Sequence, residues 1–125
     1  MLMVNTKIGQ STIHCIGLFA AQDISKGSII WSPNALLDIK IPPFILMKWP
    51  ESAQQQIKNY AWVDEDGMYC LCGDDARFFN HSDTPNCDDS GPNTVSLIDI
   101  KCGEELTCDY HVFDHPAAST QQTKG

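Results

Sequence analysis

Hydrophobic residues occur along this chain in short runs that turn-forming residues separate, a pattern more typical of β-strands than of long helices. One run covers residues 13–20, and a second, rich in β-branched and aromatic residues, covers 28–31. The turn residues at 23–27 lie between them, so we predict two strands that meet at a tight connection. Residues 36–39 are a candidate third strand.

The best helix signal follows two prolines that interrupt the strand pattern at 42–43. Pro50 is tolerated in a first helical turn, and the carboxylate of Glu51 is favourable at the positive end of the helix dipole. These residues predict a short helix that continues through Lys58. Residues 44–48 are a candidate second helical turn.

Strand patterns resume after residue 59. The runs at 60–63 and 68–71 flank the sequence DEDG, whose Asp-Gly pair is typical of a hairpin turn. Residues 82–93 are rich in Pro, Asp and Asn and are predicted to be a loop. Two further strands are predicted, at 94–100 and 104–108. The predicted fold class is therefore mainly β with one or two short helices.

The length of 125 residues and the hydrophobic content of 42% predict one domain with a true core. No apolar run approaches the roughly 20 residues that cross a bilayer, and the first residues do not resemble a signal peptide. We therefore expect a soluble intracellular protein with no membrane partner. Residues 116–125 are small and polar, which predicts a disordered tail.

The charge balance is acidic, with 16 Asp and Glu against 8 Lys and Arg and a formal net charge of −8. Nucleic-acid affinity rests mainly on basic residues that neutralise phosphates, so no direct nucleic-acid partner is expected. An acidic surface attracts a basic peptide, but net charge also keeps a small protein soluble. Composition leaves both readings open.

Six cysteines lie at positions 15, 70, 72, 87, 102 and 108. Only Cys70 and Cys72 are close together, and they lack the two-residue spacing that is usual for zinc ligands. We therefore expect free thiols that are buried as small hydrophobic groups, and no metal site. A thiol or metal protein is the weakest of the alternatives.

Two segments carry dense polar chemistry. In the first, Asn80 and His81 offer the donors and acceptors that orient a polar ligand. The second ends on Asp109 and Tyr110, and a tyrosine at a strand end can direct its hydroxyl into a cavity. Each residue singly could equally be a turn or core residue. No catalytic triad and no glycine-rich phosphate loop is visible, so the residues alone predict a polar pocket in a small β domain.

Taken together, these segments resemble the paired signature of SET-domain protein-lysine methyltransferases: RFFNHSDTPN at 77–86 and GEELTCDY at 103–110. Upstream, GLFA at 17–20 and DISKGSII at 23–30 resemble the opening of that family. The blocks occur in the family's order, between Gly17 and Tyr110.

The resemblance implies small curved β-sheets of the β-clip type in a domain covering residues 1–115. It also implies a pseudoknot, in which the Asn-His segment threads under the Asp-Tyr segment. The implied activity is transfer of a methyl group from S-adenosylmethionine to a lysine amine of a basic protein, such as a histone or histone-like substrate. The alternative is a non-catalytic SET-like module that binds a basic peptide or the cofactor. A homodimer is a further expectation, and the compartment would be cytoplasmic in a bacterium or nuclear for a chromatin substrate.

The resemblance also assigns roles to individual residues. It makes Tyr110 the catalytic residue and places Tyr69 and Tyr110 in the substrate channel. The implied cofactor-binding residues are Ile16, Gly17, Leu18, Asn80, His81 and Phe113. Arg77 and Phe78 match structural positions behind the site. The chain departs from the family pattern at Cys15 (a glycine in the family), at Trp31-Ser32 (often Glu-Tyr) and at Asp83 (a cysteine in zinc-bearing members).

Overall fold

The computed structural model describes residues 1–110, and all structural statements below refer to that range. Its strands are β1 (Thr6–Gln10), β2 (Ile16–Ala20), β3 (Ile29–Trp31), β4 (Ile39–Ile41), β5 (Trp62–Val63), β6 (Tyr69–Leu71), β7 (Asn80–His81), β8 (Cys87–Asp88), β9 (Thr94–Ser96) and β10 (Thr107–Cys108). The helices are α1 (Pro43–Leu46), α2 (Glu51–Tyr60) and a 3₁₀ turn at Asp75–Phe78. The predicted fold class, mainly β with short helices, is confirmed.

The strands form four small sheets within this range. Strands β1 and β2 make an antiparallel pair in which Gly9 lies opposite Gly17. Strands β4, β6 and β5 form one antiparallel sheet, and β3, β9 and β8 form another. The fourth is a parallel pair of β7 and β10, which aligns Asn80 with Thr107. No described sheet has more than three strands, so the fold depends on how the sheets pack together.

One hydrophobic cluster joins β2, β3, β8, β10, the 3₁₀ turn and residues of the connecting segments. Its buried members are Leu18, Ala20, Ile24, Ile30, Ala76, Phe79, Cys87, Ile100, Leu106 and Cys108. Leu106 is fully buried in this cluster, and its backbone N–H donates to the carbonyl oxygen of Leu18 at 2.8 Å. A second cluster lies under α1 and α2 and includes Ile41, Leu46 and Tyr69.

The prediction that the strands at 13–20 and 28–31 meet at a tight connection is wrong. Strand β2 pairs with β1, and β3 pairs with β9 in a different sheet. The connection between β2 and β3 is too long for a tight hairpin turn, and its buried Ile24 forms a bridge with Ile100. Burial of Ile24 in the core therefore separates the two strands.

Other elements agree more closely with the prediction. The Asp-Gly hairpin joins β5 to β6, with Gly67 at a φ of +82°. Helix α2 begins directly after Pro50, with Glu51 in its first turn and Lys58 in its last. The strand predicted at 94–100 is shorter than expected, because the chain leaves the sheet after Ser96 with exposed side chains at 97 and 98. The predicted loop at 82–93 contains the two-residue strand β8.

All six cysteines are free thiols, and they divide into two groups. Cys70, Cys87 and Cys108 are buried as predicted, and Cys72 is half-buried. Cys15 and Cys102 are exposed, so the prediction of buried thiols is wrong for these two. Among residues 1–110, no group of three or more potential ligand side chains could hold a metal ion. Within the same range, no helix is long and apolar enough to cross a membrane.

The central cluster gives a direct test of the packing. We expect Leu106→Ala to lower the free energy of unfolding by about 2–5 kcal/mol, because it leaves a cavity at a fully buried position. The matched control is Leu36→Ala, since Leu36 is 97% exposed and its truncation should change stability by less than about 0.5 kcal/mol. Urea denaturation measures both variants. Equal losses would contradict the described core.

Candidate active site

The two polar segments identified in the sequence lie side by side. Strand β7 from the first segment pairs with β10 from the second. Beyond this pair, the Asn86 side-chain amide donates to the Glu105 carbonyl at 2.8 Å and accepts from the Thr107 N–H at 2.9 Å. The Asn86 side chain thus extends the contact between the two segments beyond the backbone hydrogen bonds of β7 and β10.

Asn80 lies at the centre of the site and is fully buried. Its Nδ2 group lies 2.9 Å from a carboxylate oxygen of Glu105 and 3.2 Å from the carbonyl oxygens of His14 and Ile16. These acceptors belong to the β1–β2 connection and to the segment that leads into β10. Asn80 therefore connects three distant parts of the chain.

The other amide atom of Asn80 has no partner. Its Oδ1 atom is buried and accepts no hydrogen bond from any described residue. An unsatisfied buried acceptor costs about 1–3 kcal/mol, so such atoms are rare in native proteins and call for a specific explanation, such as a catalytic role or a bound ligand. The residues present therefore fit a ligand that brings a hydrogen-bond donor to this point.

Gly17 is required by the position of the Glu105 carboxylate. The carboxylate accepts from the Ser11 hydroxyl at 2.8 and 2.9 Å as well as from Asn80. A Cβ atom at position 17 would lie 2.4 Å from Glu105 Oε2. Since two donors hold the carboxylate in place, it could move aside only by breaking them.

Cys15 adopts a φ of +38°, in the left-handed region that normally favours glycine. The family that the sequence resembles has a glycine at this position. The backbone at Cys15 thus keeps a conformation suited to glycine although the side chain differs. The cysteine side chain itself is exposed.

His81 positions Tyr110 through its ring. Its Nδ1 atom accepts a hydrogen bond from the Tyr110 backbone N–H at 3.0 Å. The proton of a neutral ring must then be on Nε2, which lies 2.9 Å from Asp83 Oδ1 and donates to it. Asp83 stands where zinc-bearing family members have a cysteine. Here its carboxylate accepts from Nε2 of His81 and so favours the same tautomer.

Tyr110 is held at both its backbone and its hydroxyl. The hydroxyl donates to the carbonyl oxygen of Phe79, the residue before Asn80. The ring centroid lies 5.4 Å from that of His81. The phenol oxygen and one backbone carbonyl are therefore next to each other at the end of β7.

A cavity of about 360 Å³ opens beside Tyr110, and its volume is within the usual range of ligand sites. Its aromatic lining consists of Trp31, Tyr60, Trp62, Phe79 and Tyr110. Ile16, Gly17, Leu18, Asn80 and His81 are absent from the lining, although Tyr110 contacts His81. Tyr110 thus lies between the cavity and the cluster around Asn80.

One wall of the cavity carries an ion pair. Lys40 Nζ lies 3.1 Å from the largely buried carboxylate of Asp64. Burial opposes ionisation of Asp64, but backbone N–H donors and Lys40 outweigh it and hold the pKa of this carboxyl below its usual value. Burial and the nearby Asp64 charge raise the pKa of the Cys70 thiol to about 12. The positive charge of Lys40 is thus compensated by Asp64, and Cys70 is an inert thiol near neutral pH.

The structure does not bring every predicted site residue together. Tyr69 is buried in the second hydrophobic cluster and does not line the cavity. Its placement in a substrate channel therefore stays a prediction, and Phe113 lies outside the described residues. Sequence reasoning missed Ser11 as a partner of Glu105, and it missed the cavity aromatics other than Tyr110. Ser11 lies in no motif, and the cavity is formed by segments far apart in sequence.

Two comparisons with known proteins bear on the family and the fold. The family model of the SET domain matches residues 16–111. Among solved structures, a crystal structure of a candidate histone methyltransferase from Plasmodium falciparum superposes with a TM-score of 0.59 at 19% sequence identity. The match covers 87% of this chain and 95% of that one. At this identity the superposition shows a shared fold. No curated protein matches the sequence.

The contact at Gly17 can be tested by substitution. We expect Gly17→Ala to lower the free energy of unfolding by about 1–3 kcal/mol, since the new methyl group displaces the Glu105 carboxylate from Ser11 and Asn80. Gly9→Ala is the matched control on the paired strand, because its Cβ would meet only the Phe19 ring, at 3.4 Å. Thermal unfolding measures both. A neutral Gly17→Ala variant would show that the carboxylate is not held in place.

Proposed function

The chain belongs to the SET-domain family, and from this premise we propose that it is a protein-lysine methyltransferase. The methyl donor would be S-adenosylmethionine, and the acceptor a lysine amine of a basic protein. The observation that carries the proposal is the position of Tyr110. Its hydroxyl and the Phe79 carbonyl lie together beside a cavity lined with aromatic side chains.

The cluster around Asn80 fits the methyl donor. Asn80 Oδ1 is a buried acceptor without a partner, and the ammonium of the methionine group is a donor of matching chemistry. Backbone groups of Ile16, Gly17 and Leu18 would hold the rest of that moiety, with His81 alongside. Phe113 is the proposed aromatic partner of the adenine ring.

The acceptor amine must be neutral to react. When bound, S-adenosylmethionine would supply a sulfonium methyl group to the neutral amine, with S-adenosylhomocysteine as the leaving group of the carbon–sulfur bond that breaks. The apolar walls of the cavity lower the pKa of an entering lysine, because desolvation disfavours its charged form. The Phe79 carbonyl and the Tyr110 oxygen then orient the amine. Alignment of this kind accounts for much of the rate of a two-substrate reaction and requires no general base.

We further propose that β7 and β10 are the crossing segments of the pseudoknot. The parallel pair places Asn80 against Thr107, and Asn86 links to Glu105 and Thr107 just beyond it. The crossing fixes Tyr110 relative to Asn80, so donor and acceptor sites would be aligned by the fold itself.

The proposed substrate class is a basic protein, of which a histone or histone-like protein is an example. The formal net charge of −8 supports it, since opposite charge speeds encounter between partners. The structural neighbour from Plasmodium falciparum, a candidate histone methyltransferase, points the same way. A homodimer and a role for Tyr69 in the channel are further parts of the proposal.

The proposed activity is tested with labelled S-adenosylmethionine and a panel of basic proteins, read by mass spectrometry. We expect methylated lysine with the native chain and a loss of about 100-fold with Tyr110→Phe, because the amine loses one of its orienting groups. Calorimetry should show unchanged affinity for S-adenosylmethionine in that variant. Undiminished turnover by Tyr110→Phe would exclude the role assigned to its hydroxyl.

The second candidate is a non-catalytic SET-like module that binds a basic peptide or the cofactor. It is motivated by the family departures at Cys15 and at Trp31-Ser32. Calorimetry of the native chain with S-adenosylmethionine separates the candidates. No binding, or binding without transfer to any protein of the panel, would favour the module.

Electrostatic attraction of the substrate predicts a salt effect. Raising the ionic strength from about 0.01 M to about 1 M shortens the Debye length from about 30 Å to about 3 Å. We expect KM for a lysine-rich peptide to rise several-fold over this range while kcat changes little. A peptide with one lysine among neutral residues is the control and should respond weakly. Equal salt responses of KM for the two peptides would show that the acidic residues of the protein do not attract the substrate and serve solubility alone.

A further inference from the structure

Two polar atoms without partners lie in residues that line the cavity beside Tyr110. They are the indole nitrogen Nε1 of Trp31 and the carboxylate oxygen Oδ1 of Asp38. Both atoms are buried, and neither has a hydrogen-bond partner among the described residues. Cys72 and Asp89 line the same cavity, and we call these four cavity-lining residues, Trp31, Asp38, Cys72 and Asp89, the Asp38 recess.

The carboxylate of Asp38 is held in a fixed orientation. Its other oxygen, Oδ2, accepts the backbone N–H of Asn34 at 2.9 Å. The side chain of Asn34 in turn accepts from the N–H groups of Leu36 and Leu37, which stabilises the turn before β4. Asp38 Oδ1 is therefore an acceptor whose position is set by the turn.

The surroundings of the recess are rich in carboxylates. Burial first, and then the charges of Asp38 and Asp74, raise the pKa of the Cys72 thiol to about 12, while the N-terminal ammonium acts in the opposite direction. Asp89 contributes as well, and it accepts the Thr94 hydroxyl. Cys72 is thus uncharged near neutral pH and adds no competing ion to the recess.

The cations that line the cavity do not satisfy Asp38 Oδ1. Lys40 is paired with Asp64 at 3.1 Å. Arg77 also lines the cavity, but it does not reach Oδ1, since that atom has no hydrogen-bond partner. A buried carboxylate oxygen without a donor favours a cationic ligand, because charge-assisted hydrogen bonds are the strongest compensation for desolvation.

The reacting amine is the wrong cation for this recess. A carboxylate next to that amine would raise its pKa and keep it protonated, which opposes methyl transfer. The cavity volume of about 360 Å³ is ample for more than one unbranched side chain. A different cationic group of the substrate can therefore enter the same cavity.

We propose that the Asp38 recess binds a second basic side chain of the substrate, close in sequence to the target lysine. Asp38 Oδ1 accepts from its guanidinium or ammonium group, and Trp31 Nε1 donates to a substrate backbone carbonyl. The inference rests on the proposed methyltransferase activity and deepens it. It makes Asp38 a specificity-determining residue and the substrate a paired basic sequence.

Peptides that contain one lysine and one arginine test this preference. The arginine is placed in turn one to four residues to either side of the lysine, and each peptide is compared with its citrulline counterpart, which keeps the shape but lacks the charge. We expect kcat/KM to be about tenfold higher for arginine than for citrulline at one position or more. A native enzyme that methylates both forms equally at every position would overturn the proposal and leave the methyltransferase activity intact.

The variant Asp38→Asn should remove the preference, because it deletes the charge and retains an acceptor for the Asn34 N–H. Glu65→Gln is the matched control, since it deletes one exposed carboxylate in the hairpin turn outside the cavity lining and should keep the preference. Circular dichroism and thermal unfolding verify that both variants fold. A full preference in Asp38→Asn would contradict the role of Asp38.

A binding measurement keeps the inference testable if no methyl transfer is found. Ethylguanidinium is titrated into the native protein while the Trp31 indole N–H resonance is followed by NMR. We expect a saturable shift that Glu65→Gln retains and Asp38→Asn weakens about tenfold. Absence of a shift in the native protein would exclude cation binding by the Asp38 recess, even if the methyltransferase proposal stood.

Discussion

The structure depends on the buried side chain of Asn80. Its Nδ2 group lies within hydrogen-bond distance of the carbonyl oxygens of His14 and Ile16 at the start of β2 and of the carboxylate of Glu105, so it joins two segments that are far apart in sequence. The sheets that these segments belong to have only two or three strands each within residues 1–110. Small sheets of this kind are not stable alone, so a side chain that joins several of them matters more than one ladder bond. A buried polar network of this type also specifies one arrangement among many.

The residues that join the sheets also form the site. Asn80 joins the start of β2 to Glu105 with Nδ2, and its Oδ1 has no partner among the described residues, while His81 uses both ring nitrogens to hold Asp83 and Tyr110. The same side chains that stabilise the fold would therefore also contact a ligand in the candidate site. A ligand that satisfies Asn80 Oδ1 would stabilise the native state through linkage, by an amount that grows with the logarithm of its concentration relative to its Kd. The exposed Cys15, with its left-handed backbone, shows that the conformation persists where the side chain departs from the family pattern.

Local signals in the sequence were sufficient for the local elements. The Asp-Gly pair before Met68 predicted the hairpin, and Pro50 with Glu51 predicted the start of α2, because neighbouring residues determine both structures. Strand β1 was missed, since its mixed sequence TKIGQ forms a strand only against β2. The pairing of β3 with β9 and the Asp38 recess were missed for a related reason. They arise from residues far apart in sequence, whose contacts depend on the completed core.

The long-range pairing also has a consequence for how the protein reaches this state. Ile24 pairs with Ile100, β3 with β9, and β7 runs parallel to β10. Each pairing closes a long loop before any contact compensates for the lost chain entropy, so high contact order predicts slow folding. On a ribosome, β2 and β7 must wait for residues 105–110 to emerge before Asn80 and Tyr110 find their partners. The candidate site is thus among the last parts of the domain to assemble, and the unpaired strand edges are open to chaperones until then.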